Sequence, residues 1–150
     1  MPDNDKTIYK TCREAAGYTQ ERAAELLNLS VRQLARFEAG ELIPGNDIVY
    51  AMVVLYDSQY LGIQHLRSAS QLAADIIPEV EPVTLQTAAM RFFNAFMDII
   101  QAHPELKLMR IAEDNIISED ERPIRDEILE MAQRFCKVCF EVQAATEREV

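Results

Sequence analysis

The sequence predicts an all-α protein built of two units, and three observations carry that expectation. Apolar residues recur at three- and four-residue steps nearly everywhere, and no stretch alternates with the two-residue period of a strand. Ser, Thr, Asn and Gly stand where helices start and stop. The stretch Pro78-Glu79-Val80-Glu81-Pro82 cannot continue a helix and parts the chain. The expected division is a first domain at residues 1–67, a linker at 68–82, and a helical unit at 83–150.

The first domain reads as five short helices. Ile8, Tyr9, Cys12, Ala15 and Ala16 share helical spacing, and Gly17 is a natural stop. Thr19 caps residues 20–27, with Glu21 at the positive helix end. Arg22 stands where a capping box would want Glu or Gln, so that cap is partial. Asn28 tolerates the left-handed conformation that ends a helix. Ser30 then caps residues 31–39, and Gly40 closes them. Pro44-Gly45-Asn46 is a turn, Asp47 opens the apolar run 48–56, and Asp57-Ser58 leads into a last segment ending near Arg67.

In the second unit Thr84 opens a helix whose Leu85, Ala89, Phe92, Phe96, Ile99 and His103 form one stripe, widened by Phe93, Met97 and Ile100. Pro104 interrupts it, and residues 105–112 read as a short helix. Residues 113–120 read as a polar turn with Ile116 and Ile117 buried in its middle. After Pro123, the residues Ile124, Ile128, Met131, Phe135, Val138, Val142 and Ala145 make a heptad-like seam. That seam closes either onto the 84–103 helix or onto a second copy of the chain.

Composition bounds the function classes. With 150 residues, 49% apolar and 27% charged, the chain is of ordinary globular make-up. About 68–70% of its unfolded surface can be buried at this size. The net charge is −10. Residues 1–62 hold six Lys and Arg against nine Asp and Glu, a net of −3, and the remainder carries −7. Neither half is basic, so nucleic-acid binding must come from a few placed residues and not from bulk charge. No run of 18 apolar residues could span a membrane. The polar start Met1-Pro2-Asp3-Asn4-Asp5-Lys6 and three cysteines, which cannot all pair within one chain, point to a reducing cytoplasm.

The segment Thr19-Gln20-x-x-Ala23-Ala24-x-x-Leu27-Asn28-Leu29-Ser30-x-x-x-Leu34-x-x-Phe37-Glu38-x-Gly40 carries the specific signal. It resembles the helix-turn-helix of the Cro and phage-repressor family, over about residues 7–62. The physical reasons can be read position by position. Two helices joined by so short a turn approach closely, so Ala24 at their contact must be small, and Leu27, Leu29 and Leu34 fill the wedge. Where the family usually has Gly in the turn, this chain has Asn28.

The resemblance implies a role for each site residue. The helix at 31–39 enters the major groove, with Val31, Arg32 and Arg36 toward the bases and Gln33 on the flank. Arginine forks suit guanine O6 and N7, glutamine suits adenine, and Val31 can pack on a thymine methyl. Gln20, opening the preceding helix, matches a phosphate-bonding position, and Ser30 opens the recognition helix beside the DNA. Arg13 and Glu38 match a structural ion pair that holds the recognition helix. One departure stands out. The loop Glu41-Leu42-Ile43-Pro44-Gly45-Asn46-Asp47 has two acids and no base where relatives often clamp phosphates.

Other chemistries find little purchase. Cys136-Lys137-Val138-Cys139 has no second Cys/His pair at zinc spacing. Taking Glu121 as the last position of a calcium loop puts Arg110 first and leaves no central glycine. His65 and His103 lie far apart in sequence with no evident nucleophile partner and read as structural, and no phosphate-loop, dinucleotide or HExxH motif occurs. The expectation is a non-enzymatic DNA-binding regulator, a repressor without metal or cofactor. It would act in the cytoplasm on a double-stranded operator, as a homodimer joined by its C-terminal helices, with no membrane partner. The alternative is a protein-interaction module, such as an antitoxin or adaptor, that uses the fold without reading DNA. The acidic loop favours it.

Overall fold

The computed structural model describes residues 7–114 and 116–145. Among these residues there are nine helices and no strand, in two compact units that part between Ile77 and Pro78. The first unit holds α1 (Ile8–Ala15), α2 (Gln20–Leu26), α3 (Val31–Glu38), α4 (Asn46–Tyr56), α5 (Gln59–Ser68) and α6 (Gln71–Ile76).

Each junction has a local cause. Gly17, at φ 79°, ends α1 in a conformation that costs a residue with a Cβ. Thr19 Oγ1 accepts from the Arg22 amide at 3.2 Å and starts α2. Asn28 turns left-handed at φ 54°, and the Leu29 N–H then reaches the Ala24 carbonyl at 2.9 Å. That closure brings α3 across α2 with Ala23 and Ala24 completely buried at the contact. At this separation a larger side chain would overpack the crossing. Leu34, Phe37, Val49, Met52, Tyr56 and Leu61 complete the core with Tyr9 and Cys12, and Leu27 and Leu29 pack against it half-buried.

A polar pin crosses this core. His65 on α5 is buried; its Nδ1 lies 2.9 Å from the Tyr9 hydroxyl and its Nε2 lies 3.0 Å from Asn46 Oδ1. A neutral ring satisfies both contacts, with Tyr9 donating to Nδ1 and Nε2–H donating to Asn46. Burial pushes the His65 pKa below its ordinary value. The unfolded chain therefore binds the proton first as pH falls. Stability from this residue is present above about pH 6.5 and is lost as pH falls toward the folded pKa. The unfolding midpoint should drop as pH falls below about 6.5 in the native protein, and His65→Gln should flatten that part of the profile. An equal slope in both proteins would assign the drop to other groups.

The stretch 68–82, read from sequence as a linker, contains a helix. Ser70 Oγ accepts from the Ala73 amide at 3.1 Å and starts α6, which packs on α5, and Arg67 Nε donates to the Ile77 carbonyl at 3.2 Å. The two prolines lie beyond this helix and do not prevent it.

The second unit holds α7 (Leu85–Ala102), α8 (Pro104–Ile111) and α9 (Arg122–Ala144). Thr84 Oγ1 accepts from the Thr87 amide and caps α7, while His103 at φ 46° turns the chain and Pro104 begins α8. Of the two partners open to the α9 seam, α7 meets it within the chain. Phe92, Phe96 and Phe135 cluster with ring centroids 5.2–6.4 Å apart. Arg91 donates to the buried Glu141 at 2.9 Å, and Arg134 pairs with Asp98 at 2.9 Å. Ile116 and Ile117, expected to be buried, are exposed, Ile116 by 68%. Their segment ends in a Ser118–Glu121 hydrogen-bonded turn that turns on polar contacts rather than an apolar plug.

Candidate nucleic-acid interface

Helix α3 is held from both ends and from beneath. At its start, Ser30 Oγ accepts from the Gln33 amide at 3.2 Å while Gln33 Oε1 accepts from the Ser30 amide at 3.1 Å. This reciprocal capping box satisfies two backbone donors that the first turn leaves without helical partners. Ser-x-x-Gln is the spacing that signals such a box, so this double role of Gln33 was within reach of the sequence. Its carbonyl is committed to the cap and its NH2 remains the outward end. Ser30 is likewise committed through its hydroxyl.

Beneath α3, Glu38 is 3% exposed and Arg13 of α1 is 7% exposed. Arg13 Nε donates to Glu38 Oε1 at 2.6 Å, and Nη2 donates to Oε2 at 3.0 Å, a bidentate fork. Arg13 Nη1 donates to the Tyr18 carbonyl at 2.6 Å, and Gln20 Nε2 donates to Glu38 Oε2 at 3.0 Å. Thr7 Oγ1 adds a bond to the Glu38 carbonyl at 2.9 Å. One carboxylate thus ties α1, α2 and α3 together. The hydrogen bond to Glu38 raises the Arg13 pKa further, so the guanidinium stays charged. Tyr56 lies close by; its pKa is pushed up to about 12, first by burial and then by the Glu38 charge. Gln20, expected to bond a phosphate, spends one amide N–H on this buried cluster.

The opposite side of α3 faces outward. Val31, Arg32, Gln33 and Arg36 are exposed there, while Leu34, Phe37 and Glu38 point inward. Arg32 has no partner among the described residues. Arg36 does have one, since its Nε donates to Glu41 Oε2 at 3.2 Å. Sequence reasoning treated Glu41 only as an acid lacking a basic neighbour. Of the cysteines, Cys12 is buried, Cys136 is exposed and Cys139 is half-buried.

No helix among the described residues is long and apolar enough to cross a membrane. No curated protein and no solved structure matches the chain. Residues 10–60 do match a family model, that of the helix-turn-helix, and the match runs from α1 into the start of α5. A tight α2–α3 crossing, a capped second helix with a polar outward face, and a buried acid anchoring that helix stand within those residues. Residues 10–60 are a helix-turn-helix domain of the Cro and phage-repressor type, a family of DNA-binding regulators.

Proposed function

We propose that this chain is a sequence-specific transcriptional regulator, acting as a repressor in the cytoplasm and reading the major groove of a double-stranded operator with α3. The observation that carries the reading is the doubly supported α3: rigid on its buried side, with Val31, Arg32, Gln33 and Arg36 on its open side. In this reading Arg32 and Arg36 contact guanines, Gln33 offers its NH2 group, and Val31 packs on a thymine methyl. Gln20 would use its second amide N–H on a phosphate, and Ser30 would hold the helix start against the backbone.

The test is selection of duplexes from a random-sequence library with the full chain. The recovered duplex should bind at least about 10³-fold tighter than a shuffled one. No enrichment over shuffled sequence would defeat the proposal. That outcome would favour a partner-binding module, which the acidic loop and the net charge of −10 suit.

Homodimerisation belongs to the same proposal. A unit of net −3 makes few phosphate contacts, so one copy alone should hold DNA weakly. Two copies on a two-fold axis could engage half-sites about 34–36 Å apart. After α7 and α9 have paired, Met90, Phe93 (57% exposed), Ile100 and Leu129 remain outside, an apolar surface suited to a second copy. Sedimentation should show a dimer for the full chain. Residues 1–77 alone should be a folded monomer that has lost most specific affinity. Equal binding of one operator by both forms would contradict this.

A further inference from the structure

We infer that Glu41 is a specificity-determining residue: it buttresses Arg36 so that the terminal nitrogens of that arginine are presented to a single guanine. The inference rests on the DNA-reading proposal above and names a residue that the reading itself did not use.

The geometry begins with the backbone. Gly40, at φ 74°, reverses the chain, so that the Glu41 amide donates to the Arg36 carbonyl at 3.0 Å and the Leu42 amide reaches the same oxygen at 3.3 Å. Glu41 is therefore clamped above the last turn of α3 by a helix-ending motif that fixes its distance from Arg36. The carboxylate accepts from Nε of Arg36, at 3.2 Å. Nη1 and Nη2 have no partner among the described residues. Those two nitrogens form the edge of the fork that matches guanine O6 and N7. A side chain held through Nε loses less freedom when it docks, which favours the one base that fits the held position.

A bare acid beside DNA has the opposite tendency, because it repels phosphates on every sequence. The two roles therefore predict opposite signs. The full chain, as Glu41→Ala and Glu41→Gln, would be titrated against the selected duplex and a shuffled duplex. Glu41→Ala should weaken binding to the selected duplex by roughly three- to tenfold, with Glu41→Gln losing less because its amide oxygen still accepts from Nε. Binding to shuffled DNA should be equal or tighter. Discrimination should fall at one guanine per half-site, and Glu41→Ala should weaken nothing further in an Arg36→Ala background.

Tighter binding of both duplexes by both variants would overturn the inference and leave Glu41 as a repulsive charge. Unchanged binding would overturn it as well. Failure of the native chain to prefer its selected duplex is a different result. It would remove the DNA-reading proposal, and this inference with it.

Discussion

Glu38→Ala is expected to destabilise the N-terminal unit by about 3–5 kcal/mol, because it leaves the Arg13 guanidinium buried without its counter-charge. A domain of ordinary stability has only about 5–15 kcal/mol in total, so much of the population should unfold on mild heating. The loss should exceed that of any exposed substitution, since Gln20 Nε2 loses its acceptor on the same carboxylate. Glu38→Gln keeps an acceptor but removes the charge, and should fall between. Replacing both partners by apolar residues, Arg13→Met with Glu38→Leu, should recover much of the loss, because no charge is then left buried. All five tyrosines (Tyr9, Tyr18, Tyr50, Tyr56 and Tyr60) lie in this unit and the chain has no tryptophan. Denaturation followed by tyrosine fluorescence therefore reports on this unit alone. An unchanged midpoint in Glu38→Ala would show that the pair contributes nothing to holding α1 against α3.

Arg32→Ala and Arg36→Ala should each cost about 1–3 kcal/mol on the selected duplex, the range for loss of a bidentate base contact. Neither residue is buried, so tyrosine-detected stability should barely change. The discriminating feature is the pattern across sequences. A base contact is lost only where its guanine is present, so affinity for shuffled DNA should stay nearly constant. A phosphate contact would weaken both duplexes alike and reduce the salt slope by about one. Equal losses on selected and shuffled DNA would reassign both arginines to the backbone.

The helix-turn-helix was legible in the sequence because its signals are local. Thr19, Ser30, Asn28 and Gly40 each act on the chain within a few residues, and each stands in the structure at a cap or left-handed turn. Ala24 could be read because a short turn forces close approach whatever surrounds it. What escaped was either weaker in pattern or dependent on packing. Helix α6 has six residues, no charged periodic face, and two prolines just beyond it that dominate the local reading. The α9 seam gives the same spacing whether its partner is α7 or a second copy, so spacing alone left the choice open. Ile116 and Ile117 look buried by hydropathy, but a polar turn gives them nothing to pack against. The Tyr9–His65–Asn46 pin joins residues 56 and 19 positions apart, beyond any local signal. Glu41 was visible only as a charge of the wrong sign, since its bond to Arg36 depends on the turn at Gly40.

Major-groove reading by α3 is tested most directly by the chemistry of guanine N7, which lies open in that groove. Dimethyl sulfate footprinting on the selected duplex, with the full chain at saturation, gives the readout base by base. Protection is expected at guanines in two clusters about one helical turn apart on one face of the duplex, and it should vanish at single positions in Arg32→Ala and Arg36→Ala. Guanine N7 reactivity identical with and without saturating protein would contradict the reading.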